Sequence, residues 1–148
     1  MHHCPLCVYF QCFSQVFNQS KRKSDGSFDN IYGWAEATDA SKPGALTVHL
    51  QGVPVGAPYW VLNIGPVVDN KYQWSVVSDP FKLSLFVLAR DVREFHAKYA
   101  TTVYTWLANN GFDQFYNTPT ITDQSNCTYA PPPADLVTAL PMASLRGA

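Results

Sequence analysis

Cys4-Pro5-Leu6-Cys7, preceded by His2 and His3, has the spacing of a thiol pair that exchanges electrons or opens a metal site. No second Cys-x-x-Cys and no His-x-x-x-His follows, so the ligand set is incomplete and neither a metal nor a cofactor is expected. Cys12 lies in a strand-like run, where a thiolate facing a cavity could act as a nucleophile. No His or basic residue stands beside it to stabilise that thiolate, and an inert buried thiol is the preferred reading. Ser75, Ser78 and Ser84 lack the Gly-x-Ser-x-Gly setting of an activated hydroxyl, and no glycine-rich loop opens a helix to cradle phosphate. Paired carboxylates on one strand face are also absent. The chain reads as a non-enzyme.

What remains is the scaffold. With 148 residues the chain fits one domain that can bury about two-thirds of its unfolded surface. A net charge of -1 with 14% charged residues excludes the basic surface that tracks nucleic-acid phosphates. The one basic run, Lys21-Arg22-Lys23, precedes Ser24-Asp25-Gly26 and reads as a solvated hairpin end.

Short β-branched and aromatic runs dominate the sequence up to residue 90. Residues 7–20 read as one long strand, Asp25-Gly26 as a tight turn and Phe28–Thr38 as a second strand. A third covers Ala45–Gln51, where Leu46, Val48 and Leu50 alternate with Thr47, His49 and Gln51, giving one dry and one wet face. His49 therefore falls on the wet side. Tyr59–Ile64, Tyr72–Ser78 and Ser84–Arg90 complete six strands, joined by connections too short for crossover helices. The expectation is an antiparallel up-and-down meander.

After Arg90 the period changes. Val92, Phe95, Tyr99, Val103, Trp106 and Leu107 recur at helical spacing, Asp91-x-x-Glu94 forms a capping box, and Asn110-Gly111 stops the helix. Phe115–Ile121 suggests a last short strand. The domain is placed at residues 1–130, and residues 131–148, starting Pro131-Pro132-Pro133, read as a disordered tail. Asn18-Gln19-Ser20 and Asn126-Cys127-Thr128 are glycosylation sequons that favour a secretory route, Asn126 being the expected acceptor. The first residues have no signal-peptide pattern, and no apolar run is long enough to span a membrane. Sequons without an export address lead to the expectation of a fragment or an incomplete gene model.

Several strings then stand together: Val16-Phe17-Asn18-Gln19, Ile31-Tyr32-Gly33, Ala57-Pro58-Tyr59-Trp60-Val61-Leu62, Asp69-Asn70-Lys71-Tyr72, Leu88-Ala89-Arg90 and Thr122-Asp123-Gln124-Ser125-Asn126-Cys127. In combination they resemble the lipocalins, in particular the branch of apolipoprotein D and the bacterial outer-membrane lipocalins, over about residues 14–128. The resemblance implies a mainly β, up-and-down barrel with one C-terminal amphipathic helix packed on its outside, lacking the first strand and most of the second. It also implies binding and transport of a small hydrophobic ligand of the lipid, sterol, fatty acid or bilin class, in a secreted, extracellular protein. Leu50, Tyr59, Phe86 and Leu88 would line the cavity, and Asn18 could offer a polar contact unless it carries a glycan. Arg90 would close the barrel base against a Trp of the first strand, although no Gly-x-Trp precedes residue 28. Cys127 resembles the family's C-terminal disulfide cysteine, with Cys7, or else Cys4, in its partner's place.

Open strand edges imply homo-oligomers, and the resemblance allows peripheral membrane or lipoprotein contact. Two other readings stand beside the carrier: a truncated homologue that binds no ligand and works through protein contacts, and an enzyme using Cys12.

Overall fold

The structure is a computed structural model and describes residues 13–22 and 24–122. Among these residues it is mainly antiparallel β, with eight strands followed by two short helices. The strands are β1 (Phe13–Lys21), β2 (Phe28–Ala37), β3 (Ala45–Leu50), β4 (Ala57–Ile64), β5 (Val67–Val68), β6 (Lys71–Tyr72), β7 (Trp74–Ser78) and β8 (Leu85–Ala89). The helices are α1 (Val92–Lys98) and α2 (Ala100–Asn109).

The described chain forms two compact units. One holds residues up to Glu36 together with Val48–Gly56, and the other holds Ala37–Thr47 and Ala57–Thr122. In the first unit β1 pairs with β2 from Phe13↔Glu36 to Lys21↔Phe28, and the Gln51 N–H reaches the Tyr32 carbonyl at 2.7 Å. The turn between them closes where expected. Gly26 takes φ +72°, which an L side chain rarely adopts, and Asp25 Oδ1 accepts from the Ser27 N–H at 3.0 Å. Arg22 braces the hairpin end with two hydrogen bonds to Asp29, at 2.7 and 2.8 Å.

In the second unit the first residues of β3 meet β4, where the Val61 N–H donates to the Gly44 carbonyl at 2.8 Å, and β4, β7 and β8 follow in hydrogen-bonded order. Its core joins strands to helices. Trp74, Val76, Phe95, Ala100, Val103, Leu107 and Phe112 are buried together, with Leu62, Leu85 and Val87 packed against them. Gly65 leaves room for the Trp74 indole, since a Cβ there would come within 2.6 Å of the ring.

Three expected elements change in detail. The single helix is divided at Tyr99, whose φ is -119°, although Tyr99 N–H still reaches the Phe95 carbonyl and Val103 N–H the Tyr99 carbonyl, at 2.8 and 2.9 Å. Both halves thus keep apolar residues on one core. Asp91 caps α1 as expected, accepting from the Glu94 N–H at 2.8 Å, but the Glu94 carboxylate pairs with Lys98 at 2.8 Å. The fifth expected strand is split at Gln73. Lys71–Tyr72 instead forms a two-stranded hairpin with Val67–Val68, across a turn in which Asp69 and Asn70 take φ 49° and 59°.

Phe115–Ile121 is not a strand but a turn. Asn117, buried there, donates to the Lys82 and Gly111 carbonyls at 3.2 and 3.0 Å and accepts from the Gln114 N–H at 3.0 Å. These bonds satisfy the amide without a neighbouring strand, and Pro119 has no N–H for a ladder.

The β7–β8 connection is organised by a single carboxylate. Asp79 accepts from the Ser84 hydroxyl and N–H at 2.7 and 2.6 Å, from Phe81 N–H at 2.7 Å and from Leu83 N–H at 3.3 Å. The Ser84 hydroxyl, then the backbone donors, hold the carboxyl pKa down from 3.8 to about 2, outweighing partial burial. Asp79→Ala should cost about 2 kcal/mol, the scale of hydrogen bonds to a charged acceptor. A depressed carboxylate stabilises the fold fully above its unfolded pKa and less as it protonates. The wild-type-minus-variant difference in urea unfolding should therefore be constant above about pH 5 and shrink progressively as pH falls through 3.8 to about 2.

Candidate functional site

Side chains alternate along a strand, so the helix-packed residues of β7 and β8 define the opposite face as well. Trp74↔Ala89 and Val76↔Val87 point to the helical core. The intervening pairs, Ser75↔Leu88 and Val77↔Phe86, lie on the other side. On β4, Val61 pairs with Val77 and Ile64 with Ser75, a register shift between Val61 and Asn63 returning Ile64 to the face of Val61. Two cross-strand rows result, Val61–Val77–Phe86 and Ile64–Ser75–Leu88. Tyr59, two residues before Val61, extends the same face.

This face is apolar and open. Phe86, Leu88 and Ile64 are 56%, 46% and 43% exposed, whereas Val77 beneath them is buried. Tyr59 is half-buried, and that burial pushes its phenol pKa up, keeping the hydroxyl neutral. The rows contain no charged side chain. Their one hydroxyl, on Ser75, makes no side-chain hydrogen bond among the described residues.

The polar groups at the two ends are committed elsewhere. Gln73 donates its amide to the Lys71 and Val68 carbonyls at 2.9 and 3.3 Å, and Arg90 Nε donates to the Tyr72 carbonyl at 2.7 Å. Both fasten the β5–β6 hairpin. At the other end the Asp79 carboxylate is held by its own loop.

In the first unit, the β1–β2 register puts Asn18 beside Ile31 on the face that holds Gly33 and the buried Ala35. Leu50 belongs to that face too, being the side chain nearest a Cβ built at Gly33, where such a Cβ would also strike the His49 carbonyl. The reverse face is aromatic. Phe17 meets Tyr32 at 5.3 Å, and His49 stacks on Trp34 at 4.9 Å while its Nε2 contacts Glu36 Oε1 at 3.0 Å. His49 thus lies opposite Val48 and Leu50, as strand alternation requires.

The profile of the lipocalin-like domain matches residues 14–118, well over half of the chain. The chain belongs to the lipocalin-like domain family. Its antiparallel strands followed by helices are a lipocalin-type β architecture. No curated protein and no solved structure matches the chain.

Within this lipocalin-like domain, Tyr59, Phe86 and Leu88 share one face of the second unit, and Asn18 and Leu50 share one face of the first. Arg90, expected to close a barrel base, is engaged with the Tyr72 carbonyl. Cys7, Cys12, Asn126, Cys127 and the tail lie outside the described residues. Sequence reasoning missed Val61, Ile64, Ser75 and Val77. Plain alternation from Tyr59 reaches Val61 but puts Ile64 on the wrong side, because the bulge is silent in the sequence.

Proposed function

We propose that this lipocalin-like domain binds and carries one small apolar molecule, using the β4–β7–β8 face opposite the helices. The carrying observation is the exposure of Ile64, Phe86 and Leu88 on a wall that is otherwise well packed. Covering such side chains gains about 25 cal/mol for each Å² removed from water, before ordering costs. Lipids, sterols and comparable hydrophobic molecules have the matching chemistry. Binding proceeds without a reaction, a reading supported by membership of the lipocalin-like domain family. The apolipoprotein D-like branch, the secretory route and the Cys7–Cys127 bridge belong to this reading and are supported by the sequence strings and sequons.

Titration with retinol tests it. Trp60 and Trp74 pair with, or lie among, residues of the helix side, so the ligand's own fluorescence is the better signal. Retinol emission should rise and saturate near one molecule per chain at micromolar concentration. A linear, non-saturating response would overturn the proposal.

A further inference from the structure

We infer that the ligand carries an uncharged polar end and that the Ser75 hydroxyl receives it; this deepens the proposed carrier function and rests on it. Ser75 sits in register between Ile64 and Leu88, two exposed aliphatic side chains, in the middle strand of the face. Every other member of the two rows is a hydrocarbon. The hydroxyl can both donate and accept, and none of the described residues uses it. A hydroxyl or carbonyl on an apolar ligand would be matched there. A carboxylate would lose its water and meet no cation in the rows.

The charges that border the face do not change this. Arg90 follows the last residue of β8 and keeps its charge, but the hydrogen bond from Nε to the Tyr72 carbonyl holds its guanidinium at the β5–β6 hairpin, beyond the end of the rows. Asp79 keeps an ionised carboxylate at the opposite end, which repels an anionic head group. The Tyr59 phenol is neutral and adds a second donor without adding charge.

Three probes separate the cases at pH 8: retinol, retinoic acid in its anionic form, and diphenylhexatriene, a hydrocarbon with no polar atom. Retinol should bind at least about 10-fold more tightly than retinoate. Ser75→Ala should weaken retinol about 5- to 10-fold, leave diphenylhexatriene unchanged, and be rescued by Ser75→Thr, which restores the hydroxyl. Retinoate binding equal to that of retinol would overturn the inference while the carrier function stands, and its loss in Arg90→Gln would put the anchor at Arg90 instead. Retinol binding indifferent to Ser75→Ala would overturn it too. Saturation by none of the three probes would overturn both the inference and the carrier function.

Discussion

Replacing Leu88 by glutamate is expected to weaken retinol binding by at least about 100-fold, equivalent to about 2.7 kcal/mol. Two losses combine. The leucine's contact with a ligand is worth about 1.5–3 kcal/mol when fully covered, and a carboxylate in its place must shed water against Ile64 and Phe86. Folding should be little affected. Leu88 is 46% exposed and lies opposite the helical core, so its replacement removes no packing that the native domain depends on. Urea unfolding within about 1 kcal/mol of wild type, alongside lost retinol saturation, is the expected pair of results. Unchanged affinity would show that the ligand does not touch β8.

The largest effect on stability is expected from Leu107→Ala. Leu107 is almost wholly buried on α2 and packs with Val103, Phe95 and Phe112 against Trp74 and Val76. Truncation removes three carbons from a close-packed cluster and leaves a cavity, which should cost about 3–4 kcal/mol. Leu83→Ala is the matched control, since Leu83 is 68% exposed, and it should cost no more than about 0.5 kcal/mol. Urea midpoints at constant slope would measure both. A Leu107→Ala loss below about 1 kcal/mol would mean that the helices contribute little to holding β7 and β8.

Strand positions were legible because their signals are local. Leu46, Val48 and Leu50 announce β3 by alternation, Gly26 and Asp69-Asn70 announce turns through the backbone they tolerate, and Asp91 announces the start of α1 through its capping oxygen. Tyr59, Phe86 and Leu88 entered as wall residues through the family resemblance, and strand alternation puts them on one face. Period two, once one face is known, fixes the other. The elements that were missed depend on contacts distant in sequence. Gln73 breaks a strand because its amide finds hairpin carbonyls, and Asn117 makes a turn of an aromatic stretch by bonding to Lys82, 35 residues away. Ile64 entered the site only through a bulge that alters register by one residue. The hydroxyl that gives the face its selectivity looked, in sequence, like a serine without a catalytic motif.

The most direct test of the account is photoaffinity labelling with a long-chain alcohol bearing a diazirine on its hydrocarbon chain, followed by peptide mapping. Labelling should be saturable, be displaced by retinol, and fall on Ile64, Phe86 and Leu88. Saturable adducts confined to the helix side, at Trp60 or Trp106, or labelling that retinol fails to displace, would contradict it.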